Sequence, residues 1–264
     1  MDVSIVMPGI RTYRWWDVYT QLGICCSEHS WELIIVTPSR DLPSEFKDVS
    51  NVKHVQDHGT PSRALQLGTT HADGEYLTWI TDDGIPMYNC IDNSLEGLKT
   101  MRDIDVVCMR YDEGPSYAMD RQHDMRYWKA STHKDMHLDG VNQEWFLPMI
   151  MLLRTDFYRR MGGIDCRFEH TNFNLIDLGF RVQRYGSTVY FSMSTYLKVN
   201  GVMSRRNPNN SAVIAASDSD RKLFMSIYST KETADARPTT IAYDNWKDSP
   251  EVWDRRQSIP SEPE

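Results

Sequence analysis

The sequence predicts an α/β fold built on a mostly parallel central sheet with flanking helices. Two observations carry this. Across residues 1–110, short β-branched apolar runs alternate with segments of helical period, and the runs end in Pro, Gly or Asp rather than in hairpin turns. Continuous apolar runs, as opposed to strict alternation, are what strands buried on both faces require.

Val3 to Met7 (VSIVM) reads as the first buried strand, ended by Pro8-Gly9. Trp15, Val18, Tyr19, Leu22 and Cys26 recur at helical spacing, so a helix follows. Leu33 to Val36 is a second buried strand stopped by Thr37-Pro38-Ser39, and this βαβ unit implies parallel pairing through a right-handed crossover. Val52 to Val55 is a short third strand. Thr60-Pro61 then opens a helix, with a hydroxyl to cap it and a proline where no N–H is needed. After the Asp73-Gly74 turn, Tyr76 to Ile80 forms a strand that delivers Thr81-Asp82-Asp83-Gly84 at its tip. A helix from about Asn89 (Ile91, Leu95, Leu98, Met101) and a strand over Asp105 to Arg110 complete this half. In such a layout ligands sit at the C-terminal ends of the strands, where Pro8-Gly9, Thr37-Pro38 and Asp82-Asp83 converge.

Tyr111 to Val141 is polar, rich in His, Asp, Arg and Met, and lacks periodicity, as a binding loop or lid would. Trp145 to Leu153 restores apolar packing, and Asp156 to Met161 is a short helix stopped by Gly162-Gly163. Leu175 to Tyr185 reads as a helix ended by Gly186, and Thr188 to Met193 as a strand. Residues 1–229 are thus expected to form one domain in two halves, 1–110 and 111–229. The segment 230–264 is expected to be a polar, mostly extended and partly disordered tail whose Trp246 and Trp253 give it a means to dock.

The chain of 264 residues is 40% hydrophobic and 25% charged, enough for a substantial core. Its formal charge of −8 argues against affinity gained by blanketing nucleic-acid phosphates. The five cysteines lack CxxC spacing and read as reduced core thiols, which with no signal peptide or membrane span points to a cytoplasmic protein.

VSIVMPGIR with its helix, WELIIV, ADGEYLTWITDDG, and MGGIDCRFEHTNFNLIDLGFRVQRYG occur in an order that resembles the family 2 glycosyltransferases. The resemblance spans roughly residues 3 to 195. It implies a GT-A fold, a nucleotide-sugar donor with a UDP-sugar first in line, a divalent cofactor (Mn2+ or Mg2+), and inverting hexosyl or pentosyl transfer. By position Pro8, Gly9 and Arg11 would line the base and ribose, Pro38 would belong to the same donor site, and Arg63 would neutralise phosphate charge. Asp83 falls on the final Asp of the family's metal motif and is the first metal ligand implied; Asp82 is the second, or a contact to ribose or sugar. A hard cation suits these carboxylates, and as a Lewis acid it would stabilise the departing diphosphate. An Asp-Asp-Gly sequence also serves as an ordinary solvated turn.

The chain departs from the family in two places. Thr37-Pro38-Ser39 replaces the acids that read uracil and ribose. Asn174-Leu175-Ile176-Asp177 stands where a Glu-Asp pair would supply the base, leaving Asp177, Glu169 and His170 as catalytic candidates, with Asp165 behind them. Asp177 is equally readable as a structural acid of its helix. Trp145 is the candidate acceptor platform, or else core, and Arg205-Arg206 a candidate diphosphate lid, or else a solvated pair. His123, His133 and His137 lack the spacing of a zinc site. Two further functions stand beside transfer: a non-catalytic donor-binding or scaffolding protein, and a nucleotidyltransferase, for which MPGIRTYRW offers no Gly-rich phosphate loop. The acceptor is open, with a glycan or a modified nucleic-acid base among the possibilities.

Overall fold

The computed structural model describes residues 1–87, 89–113, 128–129, 144–145, 149–199 and 211–249. Its strands are β1 (Val3–Pro8), β2 (Trp31–Thr37), β3 (Val52–Gln56), β4 (Tyr76–Trp79), β5 (Gly84–Met87), β6 (Val106–Glu113), β7 (Trp128–Lys129), β8 (Glu144–Trp145), β9 (Ile150–Arg154) and β10 (Val189–Val199). Eight of them form one sheet in the order β3-β2-β1-β4-β9-β6-β10-β5, while β7 and β8 pair separately.

The half from β3 to β4 is parallel throughout. β9 enters antiparallel to both β4 and β6, and β10 restores parallel pairing with β6. The C-terminal ends of β1, β2, β3, β4, β6 and β10 therefore share one edge of the sheet. This is the mixed α/β architecture anticipated from the apolar runs. Val3, Ile5, Leu33, Ile34, Ile35 and Leu77 are each 0% exposed, which explains why these strands read as unbroken hydrophobic stretches.

The helices are α1 (Trp15–Cys25), α2 (Pro61–Thr69), α3 (Cys90–Lys99), α4 (Thr155–Met161), α5 (Thr171–Arg184), α6 (Ser211–Tyr228) and α7 (Lys231–Ala236). α2 lies on β1 and β2 with α5 against it, while α3 packs on β6, β9 and β10 and touches α1. α2 begins as expected: the Thr60 hydroxyl accepts the Arg63 N–H at 3.1 Å, and Pro61 occupies the first turn. At Gly68 a Cβ would meet Val6 at 2.4 Å and Val36 at 2.8 Å, so glycine is what allows this helix to settle on the sheet.

β5 and the segment from Thr230 differ from expectation. β5 follows the Asp-Asp pair, where the sequence offered an Asp-Asp-Gly turn and no strand; it pairs antiparallel with β10 at the sheet's outer edge, where a proline removes no needed ladder bond. The stretch from Thr230, expected to be mostly extended, is folded over residues 231–249. α7 has a capping box at Thr230 and Thr233, and a short 3-10 turn at Asn245–Asp248 sets Trp246 beside α2. No helix among the described residues is long and apolar enough to cross a membrane.

Candidate active site

The site is assembled where parallel strands end together. Pairing continues past the strands: Gly9 N–H donates to Val36 O (3.0 Å), Asp57 N–H to Thr37 O (2.9 Å) and Ile80 N–H to Val6 O (3.0 Å). The loops after β1, β2, β3 and β4 are thereby held side by side. Gly9 leaves no room for a side chain, since a Cβ there would stand 2.9 Å from the indole nitrogen of the fully buried Trp15. The first turn after β1 therefore runs directly over α1.

Asp82 ties the β4 loop to the β1 loop. One carboxylate oxygen accepts the backbone N–H groups of Ile10 and Arg11, both at 2.7 Å, and the other accepts the Arg11 guanidinium. A second Arg11 nitrogen lies 3.6 Å from Asp83. For Arg11, burial pulls the pKa down, but Asp82 and Asp83 more than offset it and the net direction is up. Burial pushes the Asp83 carboxyl above its ordinary value, against the pull of Arg11 and with the help of the neighbouring Asp82 charge.

This geometry separates the two acids. Asp82, expected as a second metal ligand, has its oxygens committed to three donors and acts as the anchor of the β1 loop. Among the described residues Asp83 has a long contact to Arg11 and is drawn on further by the Thr81 hydroxyl and its own N–H, yet it is less committed than Asp82 and retains oxygen lone pairs for a hard cation. Among the described residues no group of three or more His, Cys, Asp or Glu side chains could hold a metal ion, so a cation at Asp83 would take its other oxygens from ligand and water. The residues present fit a divalent ion on those terms.

Pro8 ends β1 and Pro38 follows β2, where its carbonyl accepts the Gln56 amide at 3.2 Å. Arg63 is drawn to a carboxylate that sequence reasoning passed over: Asp57 at the end of β3 accepts its Nε at 2.9 Å and the Gly59 N–H at 2.8 Å. The Arg63 guanidinium also donates to Ser249 O at 2.6 Å and lies 5.6 Å from the centre of the Trp246 ring. An acid directly after a short strand, two residues before a glycine, was the available signal for Asp57.

The base candidates part company. Asp177 is not placed to act as a base: it is 0% exposed and accepts Arg181 Nε (2.7 Å), both Arg237 Nε and Nη2 (2.9 Å) and the Tyr228 hydroxyl (2.7 Å). Burial alone would raise its pKa, but Arg181, Arg237 and Tyr228 bring it below the ordinary value. A carboxylate saturated by four donors and sealed from solvent holds structure together. Asp165, the weaker candidate, is likewise buried against Arg167 (2.6 Å) and Arg237 (2.7 Å).

Glu169 and His170 lie in the loop before α5, half-buried. The Glu169 carbonyl accepts Ser62 N–H at 3.4 Å, which brings this loop to the start of α2 on the crevice side. Their own N–H groups donate to Asp220 of α6 at 2.7 and 2.6 Å. Asp220 and its helix were not anticipated. The Trp145 side chain, Arg205-Arg206 and His123, His133 and His137 lie outside the described residues.

The fold is a mixed α/β one whose parallel strands end together in a crevice, and the comparisons point the same way. Residues 35–162 match the model of glycosyl transferase family 2. This is the family that the sequence motifs resemble. Among solved structures, S. aureus TarS residues 1–349 in complex with UDP superposes with a TM-score of 0.51 at 11% identity, covering 89% of this chain and 68% of that one. A structure of S. aureus TarS gives 0.49 at 10% identity, covering 76% of this chain, and the chain spans only 37% of its length. At these identities the likeness is one of GT-A fold. No curated protein matches the sequence.

Proposed function

We propose that this glycosyltransferase moves a hexosyl or pentosyl unit from a nucleotide-sugar donor to an acceptor hydroxyl with inversion. The observation that carries the reading is Asp83: a strand-end carboxylate, held from Arg11 only at 3.6 Å, in the crevice of a chain that matches the family 2 model. The UDP in the TarS structure supports a UDP-sugar as donor. A divalent ion held by Asp83, Mn2+ or Mg2+, would stabilise the negative charge on the leaving diphosphate.

The chain's own residues do the rest. The loops after β1 and β2, with Gly9 and Pro38, shape the nucleoside end of the crevice, and Asp82 fixes the first of them through Ile10 and Arg11. Arg63, steadied by Asp57 and Trp246, supplies positive charge at the start of α2, where the donor phosphates would lie. Inversion needs a base on the side of the acceptor hydroxyl, and with Asp177 sealed away Glu169 and His170 fill that place. Trp145 is assigned to the acceptor side.

One observation favours a second reading, a donor-binding protein without transfer. Leu175, 1% exposed, stands where the family places its acid, and no carboxylate of α5 replaces it. Hydrolysis and transfer from a panel of nucleotide sugars with Mn2+ separates the two. Asp83→Ala should lower turnover by more than about 100-fold with the fold intact, as loss of a group that stabilises transition-state charge does. Full activity in that variant would sink the assignment, and tight donor binding without turnover in the wild type would establish the second reading.

A further inference from the structure

The Asp82-Asp83 pair already holds a cation of its own. Arg11 closes on Asp82 through its guanidinium and through its backbone N–H, and its second nitrogen reaches toward Asp83 at 3.6 Å. The three side chains are 18%, 4% and 13% exposed, so water screens them poorly. A metal ion on Asp83 would stand within a few ångströms of that guanidinium. Two carboxylates against one guanidinium leave a single surplus negative charge, too little to draw a bare divalent ion past a buried like charge. The diphosphate of a donor adds the missing negative charge.

We propose that Arg11 is the resident counter-cation of the acid pair and makes divalent-ion binding at Asp83 depend on the donor's diphosphate. This deepens the reading of Asp83 as a metal ligand and rests on it. The free site is kept neutralised by Arg11, and the metal arrives with the nucleotide rather than before it. Coupling of this kind is reciprocal, so Mn2+ and nucleotide diphosphate each strengthen the other's binding by the same factor.

The test titrates the full chain with Mn2+ alone and with Mn2+ plus UDP, following free Mn2+ by its paramagnetic resonance signal. Wild type should bind Mn2+ weakly alone and at least about tenfold more tightly with UDP, the lower range of coupling between linked sites. Arg11→Met should tighten binding of Mn2+ alone by about tenfold, as removal of a nearby like charge requires, and should shrink the effect of UDP correspondingly. Arg11→Gln, which keeps a donor for Asp82, should behave the same way and serves if the methionine variant does not fold. Arg11→Lys should stay near wild type, and adding Asp83→Asn to Arg11→Met should erase the gain. If Mn2+ binds with UDP in the wild type while the neutral variants bind Mn2+ alone no better than wild type, this proposal is overturned and the Asp83 reading survives. If Mn2+ is not bound even with UDP, both fall.

Discussion

Two arginine–aspartate clusters lie in this chain, and they differ in how their charges close. In the interior, Asp177 and Asp165 face Arg181 and Arg237, with Arg167 reaching Asp165 from the surface, and the Arg181 N–H groups left over find carbonyls, donating to Met161 O at 2.9 Å and to Gly163 O. The partners come from four pieces of chain, so the cluster stitches α5, the loop before it, the end of α6 and the segment after α7 into one body. In the crevice, Arg11 faces two acids and satisfies one. The same residue types thus give a closed structural knot in one place and an unfinished, cation-seeking site in the other. Completeness of hydrogen bonding separates them, since a saturated buried ion cluster has nothing left to offer a ligand.

The contrast is most sharply broken at Asp177. Replacing it with Ala strands Arg181 and Arg237 without their carboxylate in the interior, and breaking a buried pair in this way costs about 3–5 kcal/mol. Chemical denaturation of Asp177→Ala should show a loss of that order; a loss below about 1 kcal/mol, the worth of a surface pair, would mean the knot does not hold the C-terminal segment. Asp82→Ala should cost less, about 1–3 kcal/mol, because it leaves the Ile10 and Arg11 N–H groups unpaired in a partly solvated loop. Its signature is local: amide exchange should quicken at residues 9–11 and leave α5 unchanged. Protection lost equally in both places would show that the crevice pair is as structural as the interior one.

The sequence showed the crevice better than the knot, for a physical reason. β1, β2 and β4 are buried on both faces and so appear as apolar runs, and their ends, where ligands gather, carry Pro, Gly and Asp. The Thr60-Pro61 start of α2 is written locally and was readable for that reason. The knot is made by residues far apart in sequence: Arg237 lies in a polar stretch whose composition gave no sign of burial, yet it is 8% exposed and bound to Asp177 sixty positions away. One clue was present, because Asp177 and Arg181 stand four apart on a helix and such pairs meet. β5 escaped notice because Gly-Ile-Pro carries turn chemistry, and an edge strand can afford it.

The smallest effect concerns Asp220, which stands between the two clusters in character: buried like the knot, yet partnered among the described residues by the N–H groups of Glu169 and His170 and by no arginine. Burial pushes its carboxyl up to about 6, the nearby Glu169 charge adds to this, and the two N–H bonds oppose it. A carboxyl raised in the folded state favours folding fully below the unfolded value near 3.8, and that contribution is lost as pH rises through about 6. Asp220→Asn cannot ionise and should lack this term. Relative to the variant, wild type should therefore lose stability between about pH 4 and pH 6.5 and run parallel to it above. Thermal unfolding of both proteins across that range measures the difference directly, with the opposing carboxylates common to both cancelling. A difference that stays flat would place Asp220 with the saturated interior acids; a falling one marks the support of the Glu169-His170 loop as the least settled charge in the fold.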